Sequence, residues 1–389
     1  MRRISIETLK PGMKLGLPIR DENDNILLNR QVVLTERYIQ RLRQLDYQAV
    51  YIADPDLIDA EVEDMLSDAT RGTTVRHLKN AYKKVDDIIH KFKNESIDKI
   101  KKSLQAKEVR RAVASSGIHA GTSRVVDNIL DEVVTSAALN GLNSLKTHDN
   151  YTFNHSIDVT VVAIMLGRKL QFNGRQLQEL AVGSLLHDIG KVFIPKNILN
   201  KPDKLTADEY VLVKEHATLG YELLKESIPI LQSHIAFQHH ERQDGSGYPR
   251  GITGCNTLNR SSTSNLISLY GEVAAIADVY DALSSDRPYR TAVLHDEVVD
   301  MIKDSAYSHF NAEMVEKFLS IIPRYPVGSS FRVTTGQYLD HLGVVIKLNE
   351  NDLDNPKIRI LFDNKDDRID PIDIDLAKRF DVRIKLIYA

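Results

Sequence analysis

A single cysteine, Cys255, occurs in 389 residues, so an intrachain disulfide is excluded and a reducing cytoplasm is the natural setting. No apolar run approaches the roughly 20 residues that cross a bilayer. The opening stretch MRRISIETLKPG has two arginines but no apolar segment after them, so it does not read as a secretory signal. The expectation is a cytoplasmic protein without membrane contact. An excess of positive charge is missing as well: 51 Lys and Arg stand against 54 Asp and Glu, for a net charge of -3. That balance argues against a protein built to coat a nucleic-acid polymer or an anionic membrane. A small anionic ligand stays open, because a few local basic residues suffice to bind one. Hydrophobic residues make up 42% of the chain and charged ones 27%, enough for a buried core and two or three domains.

What the chain does have is a scatter of histidines and aspartates through its middle: His155, His187, Asp188, His216, His239, His240 and Asp278. Neutral imidazole and carboxylate suit iron, manganese, zinc and similar ions. Four of the five histidines fall in contexts that read as helix. Seven donors are too many for one tetrahedral ion and about right for two ions sharing a carboxylate, a device used for displacement at phosphorus. Adjacent helical residues project about 100° apart, so His187 and Asp188 are not expected to chelate one ion in parallel. Asp188 can instead offer one oxygen to each metal. The remaining candidates, such as His77, His90, His234, His295 and His309, lack motif context and read as solvated or packed.

The chain divides by pattern into four parts. Residues 1–55 read as a small α/β module. Its strands lie near Ile4–Ile6, Met13–Ile19, Ile26–Leu28 and Ala49–Ala53, with a helix capped by Thr35. Residues 56–144 read as a charged helical linker. Val75, Leu78, Tyr82, Val85, Ile89 and Phe92 alternate spacings of three and four. Such a seam fits either a coiled coil joining a homodimer or an amphipathic helix packed on its own chain. Residues 145–325 read as a helical bundle, and 326–389 as a small β extension with strands at Phe331–Val333, Leu342–Leu348, Lys357–Phe362 and Val382–Tyr388. The fold class is thus mainly α.

The contexts of the donors are more specific than their number. LLHDIGK at 185–191, HHERQDGSGYP at 239–249 and IADVYDAL at 276–283 stand in order, the last followed by a run ending in Arg287-Pro288-Tyr289-Arg290. With YTFNHS at 151–156 and Lys-Glu-His at 214–216, the segment 140–325 resembles the HD-GYP family, a branch of the HD phosphohydrolases that hydrolyses cyclic dinucleotides, chiefly cyclic di-GMP. The resemblance implies an all-helical HD bundle with two divalent ions, iron or manganese first and zinc, nickel or cobalt as alternatives. His155, His187, Asp188 and Asp278 would hold one ion; Asp188, His216, His239 and His240 would hold the other. Some relatives carry a Glu that serves a third metal where this chain has Tyr151, a poor ligand at neutral pH. Two ions are therefore expected.

The same resemblance assigns Lys191, three residues after Asp188, to the scissile phosphate and leaving oxygen, and Tyr248 to substrate contact. Arg287 and Arg290 would take phosphates or bases through their guanidinium forks. Gly245, Gly247 and Pro249 shape the loop, and Asp244 and Asp281 could orient neighbouring groups. Gly254–Leu269 is longer than the family pattern and reads as an exposed loop. The implied reaction is hydrolysis of cyclic di-GMP to 5′-pGpG and on to GMP, with a hydroxide bridging the ions as nucleophile and with Asp188 and Lys191 as catalytic residues. The alternatives are a phosphodiesterase for mixed cyclic GMP-AMP and a catalytically idle sensor or scaffold for a dinucleotide or a diguanylate cyclase domain.

Overall fold

The computed structural model describes residues 1–21, 25–45, 47–60, 62, 64–133, 151–201, 203–260, 265–286 and 291–388. At the N-terminal end, β1 (Arg2–Ser5), β2 (Lys14–Leu15), β3 (Ile19–Arg20) and β4 (Ile26–Leu28) precede α1 (Glu36–Gln44) and β5 (Ala49–Ala53). The Thr35 hydroxyl accepts the Tyr38 N–H at 3.3 Å and starts α1, as the cap residue predicts. Ile39 and Leu42 of α1 join Ile4, Leu15, Val50 and Ile52 in a core of their own. The antiparallel sheet runs β1-β5-β2. One expectation fails here. The strand foreseen over Met13–Ile19 is split into β2 and β3 by Gly16-Leu17-Pro18, and proline has no N–H to give to a ladder.

Four helices follow: α2 (Asp68–Ile89), α3 (Ile97–Leu104), α4 (Lys107–Ser115) and α5 (Ile118–Val133). In α2, Val75, Leu78, Val85 and Ile89 are fully buried, with Tyr82 and Phe92 packed beside them. They share one continuous core with residues as distant as Ile276 and Phe318. The seam is therefore filled by the chain's own helices, and the reading of it as a homodimer interface is corrected: no apolar stripe of α2 is left over. Arg71 on the same helix sends one guanidinium nitrogen to Asp64 and the other to the buried Asp158, each at 2.9 Å.

The bundle proper contains α6 (Tyr151–Lys169), α7 (Gly174–Leu185), α8 (Lys196–Leu199), α9 (Ala207–Leu224), α10 (Ile230–Gln238), α11 (Leu269–Ser284), α12 (His295–Asp304) and α13 (Ala312–Leu319). Capping boxes fix the starts of α7 (Asn173 with Gln176) and α9 (Thr206 with Glu209). Between α7 and α8 a tight 3-10 turn, residues 189–193, lies directly on α9. A Cβ on Gly190 would stand 2.0 Å from the His216 carbonyl oxygen and 2.6 Å from the Gly220 nitrogen. Both are backbone atoms, so only glycine permits the contact.

Strands β6 (Ser330–Val333), β7 (Leu342–Lys347), β8 (Lys357–Phe362), β9 (Arg368–Asp375) and β10 (Ile384–Leu386) form an antiparallel sheet of order β10-β6-β7-β8-β9. The sequence pattern did not predict β9, which holds Pro371 and alternating aspartates. Its edge position explains the tolerance, because an edge strand can lack a ladder donor. The two terminal modules meet: Arg359 grips Asp59, and Arg368 grips Asp54 and Asp56. Both also reach the bundle near the end of α11. Arg3 of β1 pairs with Asp286, and the Tyr388 hydroxyl donates to the Ala292 carbonyl at 2.7 Å. Among the described residues no helix is long and apolar enough to cross a membrane.

Two predictions test this packing. Arg71→Met strips the guanidinium from a carboxylate that is 1% exposed and should cost about 3–5 kcal/mol; a denaturant-unfolding midpoint equal to wild type would contradict it. Gly190→Ala should destabilise by a similar ~3 kcal/mol or more, because backbone cannot yield as side chains do. An unshifted melting temperature would show that the turn does not lie on α9 as described.

Candidate metal centre

The seven donors foreseen in the sequence converge. His155 lies on α6, His216 on α9 and Asp278 on α11. His187 and Asp188 occupy the turn after α7, and His239 and His240 the turn that ends α10. The helical expectation for four of the five histidines is thus corrected to two. The rest sit at helix C-termini, where the chain leaves helical geometry and neighbouring side chains can face one cavity.

Helix backbone carbonyls also supply the hydrogen bonds that aim three of the rings. His187 Nδ1 meets the Ser184 carbonyl at 2.7 Å, His239 Nδ1 the Ile235 carbonyl at 3.0 Å, and His216 Nδ1 the Val213 carbonyl at 2.7 Å. A carbonyl can only accept, so each Nδ1 carries the proton and each Nε2 keeps a lone pair for the cavity. His155 uses Asp281 instead, with Nδ1 2.6 Å from Oδ2. That places Asp281 in the orienting role foreseen for it.

Asp188 is the hub. Its Oδ2 lies 3.3 Å from His187 Nε2 and 3.8 Å from His155 Nε2, and accepts from Lys191 Nζ at 2.5 Å. Its Oδ1 lies 3.4 Å from His216 Nε2 and 4.0 Å from His239 Nε2. Two groups result, His155 with His187 and Asp188, and His216 with His239 and His240; within each, the donor atoms lie within 4.8 Å of one another. Asp278 faces both groups, with Oδ1 3.0 Å from His155 Nε2 and Oδ2 3.8 Å from His240 Nδ1.

The electrostatics suit a cation. Burial pushes His239 down to about 3 and lowers His216 and His240 as well, so these rings are neutral near pH 7. Burial works to raise Asp188, but Lys191 and the adjacent imidazoles outweigh it and hold the carboxylate ionised. Asp278 is likewise raised by burial and then brought well below its usual range by His155. For His155, burial lowers the ring and the bonds to Asp278 and Asp281 more than restore it. Among the described residues, His187 Nε2 and Asp188 Oδ1 are buried without a hydrogen-bond partner. Each such orphan costs about 1–3 kcal/mol unless something compensates it. A divalent metal would satisfy both, so the residues present fit one.

Around this centre, Tyr248 stacks on His240 at 4.6 Å and 30°, and Lys214 Nζ lies 5.6 Å from the Tyr248 ring centre. The loop is held from beneath by Glu241, whose carboxylate accepts the N–H groups of Arg250 and Ile252 at 2.8 and 3.1 Å. Gly247 packs so tightly that a Cβ would stand 2.5 Å from the Arg242 nitrogen and the His240 oxygen. Asp244 turns inward on its own loop, accepting from the Ser246 N–H at 2.8 Å, which is a turn-forming role. Arg287 and Arg290 lie outside the described residues, as does the side chain of Tyr151.

The insertion departs from expectation. Its described part is pinned rather than loose. Arg260 pairs with the buried Glu272 and donates to the Ile267 carbonyl at 2.6 Å, and Leu258 N–H donates to Glu313 at 2.8 Å. Glu272 also takes Gln243 at 2.6 Å and Asn311 at 3.1 Å. Neither this network nor Glu241 was foreseen. A lone glutamate in the apolar run LYGEVAAIADV was the available signal, since a buried acid demands partners.

An HD domain sequence profile matches residues 136–314. A cyclic di-GMP phosphodiesterase of Pseudomonas aeruginosa is 35% identical over 272 residues, covering 67% of this chain and 62% of that protein. A cyclic di-GMP phosphodiesterase of Thermotoga maritima is 35% identical over 184 residues, 46% of this chain and 47% of the relative. A 3'3'-cGAMP-specific phosphodiesterase 1 of Vibrio cholerae is also 35% identical, over 173 residues, 44% of this chain and 38% of the relative. The chain spans under two thirds of the length of each. Residues 136–314 thus match the HD domain family, and within them the ordered motifs, with their donors gathered about Asp188, resemble those of its HD-GYP branch.

Proposed function

We propose that this protein is a metal-dependent phosphodiesterase that hydrolyses cyclic di-GMP to 5′-pGpG, with GMP as a further product. The observation that carries the reading is the pair of donor groups on either side of Asp188, each carboxylate oxygen turned toward a different group. A pair of divalent ions, one held by His155, His187, Asp188 and Asp278 and one by Asp188, His216, His239 and His240, would supply Lewis acidity toward the phosphoryl oxygens and an activated water. Iron or manganese suits this His-rich, carboxylate-bridged set first, with zinc, nickel or cobalt also accommodated. The single cysteine fits a reducing cytoplasm as the place of action.

The chain's own groups do the rest. Lys191, only partly exposed and one short contact from Asp188, can turn its ammonium to the scissile phosphate and stabilise the departing 3′ oxygen. Burial raises the Tyr248 phenol well above its ordinary value, so its hydroxyl stays protonated and serves as a donor. Arg287 and Arg290 would clamp phosphates or bases with their guanidinium forks. The similarity to a 3'3'-cGAMP-specific relative keeps mixed cyclic GMP-AMP as a second substrate. The completeness of the buried donor set counts against an idle sensor, since neutral rings and unpartnered acceptors cost stability unless a cation uses them.

Hydrolysis of both dinucleotides by protein of measured metal content tests the proposal. His187→Ala combined with Asp188→Ala should lower kcat by about a thousandfold or more, as both groups lose a donor; undiminished turnover would refute the assignment. Asp281→Ala should weaken metal affinity by about 10–100-fold through the loss of His155's orienting partner. Competition with a chromophoric chelator reads this directly, and an unchanged affinity would remove Asp281 from the site.

A further inference from the structure

Lys214 stands one turn after Tyr210 on α9, with its ammonium 4.8 Å from the Tyr210 ring centre and 5.6 Å from that of Tyr248. Among the described residues it forms no ion pair with a carboxylate. The side chain is half-buried, so part of its hydration is already lost, while Tyr210 keeps 49% of its surface open. Cation–π contact with the two rings, about 0.5–2 kcal/mol, holds the chain in place and leaves the ammonium protons free to meet an incoming acceptor. Tyr248 stacks at 4.6 Å on His240, so only two ring contacts separate this ammonium from the donor cluster.

We infer that Lys214, with Tyr210 beside it, anchors the phosphate of a cyclic dinucleotide that is not being cleaved. This rests on the phosphodiesterase reading above. Two cations stand by the centre with different neighbours, Lys191 against Asp188 and Lys214 against Tyr248. A cyclic dinucleotide carries two phosphates on one macrocycle. When Lys191 meets the scissile group, the second phosphate needs its own counter-charge. The ammonium of Lys214 supplies one, and the open face of Tyr210 supplies a platform for a purine. Aromatic rings beside a cation are a recurrent device for nucleotide binding. The two residues are i and i+4 on one helix, so they project together.

The test compares wild type, Lys214→Gln and Lys214→Arg, each metal-loaded, on cyclic di-GMP and on bis(p-nitrophenyl) phosphate, which carries a single phosphate. For Lys214→Gln the KM for cyclic di-GMP should rise by about 10–100-fold, the range of a charged hydrogen bond, with kcat nearly kept. The loss on the single-phosphate substrate should be at least about tenfold smaller, and Lys214→Arg should recover most of the difference. A KM within twofold of wild type, a loss falling on kcat, or equal losses on both substrates would overturn the assignment of Lys214 alone. Wild-type protein that cleaves bis(p-nitrophenyl) phosphate but neither cyclic dinucleotide would overturn the substrate reading, and this anchor with it.

Discussion

The buried carboxylate of Asp188 is the constraint around which the bundle is arranged. It is 1% exposed, and an ionised acid at that depth needs a counter-charge. Lys191 answers one oxygen, and imidazoles from α6, α7, α9 and α10 surround both. Four helices must therefore be brought to one point, and the devices that do so are visible. Gly190 lets the turn after Asp188 rest on the backbone of His216. Carbonyls in the last turns of α7 and α10 accept the rings of His187 and His239 beside their backbone N–H bonds, and so orient them.

The helices before the first histidine belong to this arrangement. Val75, Leu78, Val85 and Ile89 enter the same core as the bundle, and Arg71 reaches Asp158 on the helix that carries His155. Residues 68–89 thus form part of the wall behind the site. A segment that reads as a connecting tether by charge content is, by burial, structural.

Much of the site was legible in the sequence because its donors are chemically rare and sit in ordered motifs. Tyr248 was expected only as a substrate contact and Asp281 only as an orienting acceptor; that the first stacks on His240 and the second backs His155 is visible only in the fold. The helix placement of His187, His239 and His240 was misread because periodicity marks the helix body and says little about its last turn. The network about Glu272 escaped because it joins Gln243, Arg260 and Asn311 across long separations, with no spacing rule to betray it. Strand β9 escaped because proline and aspartate argue against a strand unless its edge position is known. The seam of α2 was ambiguous for a simpler reason: an apolar stripe records that it is covered, not by whom.

Arg3 and Tyr388 lie far apart along the polypeptide and take hold of Asp286 and Ala292, six residues apart in the sequence after α11. The small sheets are themselves bolted together through Arg359 and Arg368. The two small sheets thus brace the chain at Asp286 and at Ala292, and a ligand or neighbour pressing on them would be felt at both residues.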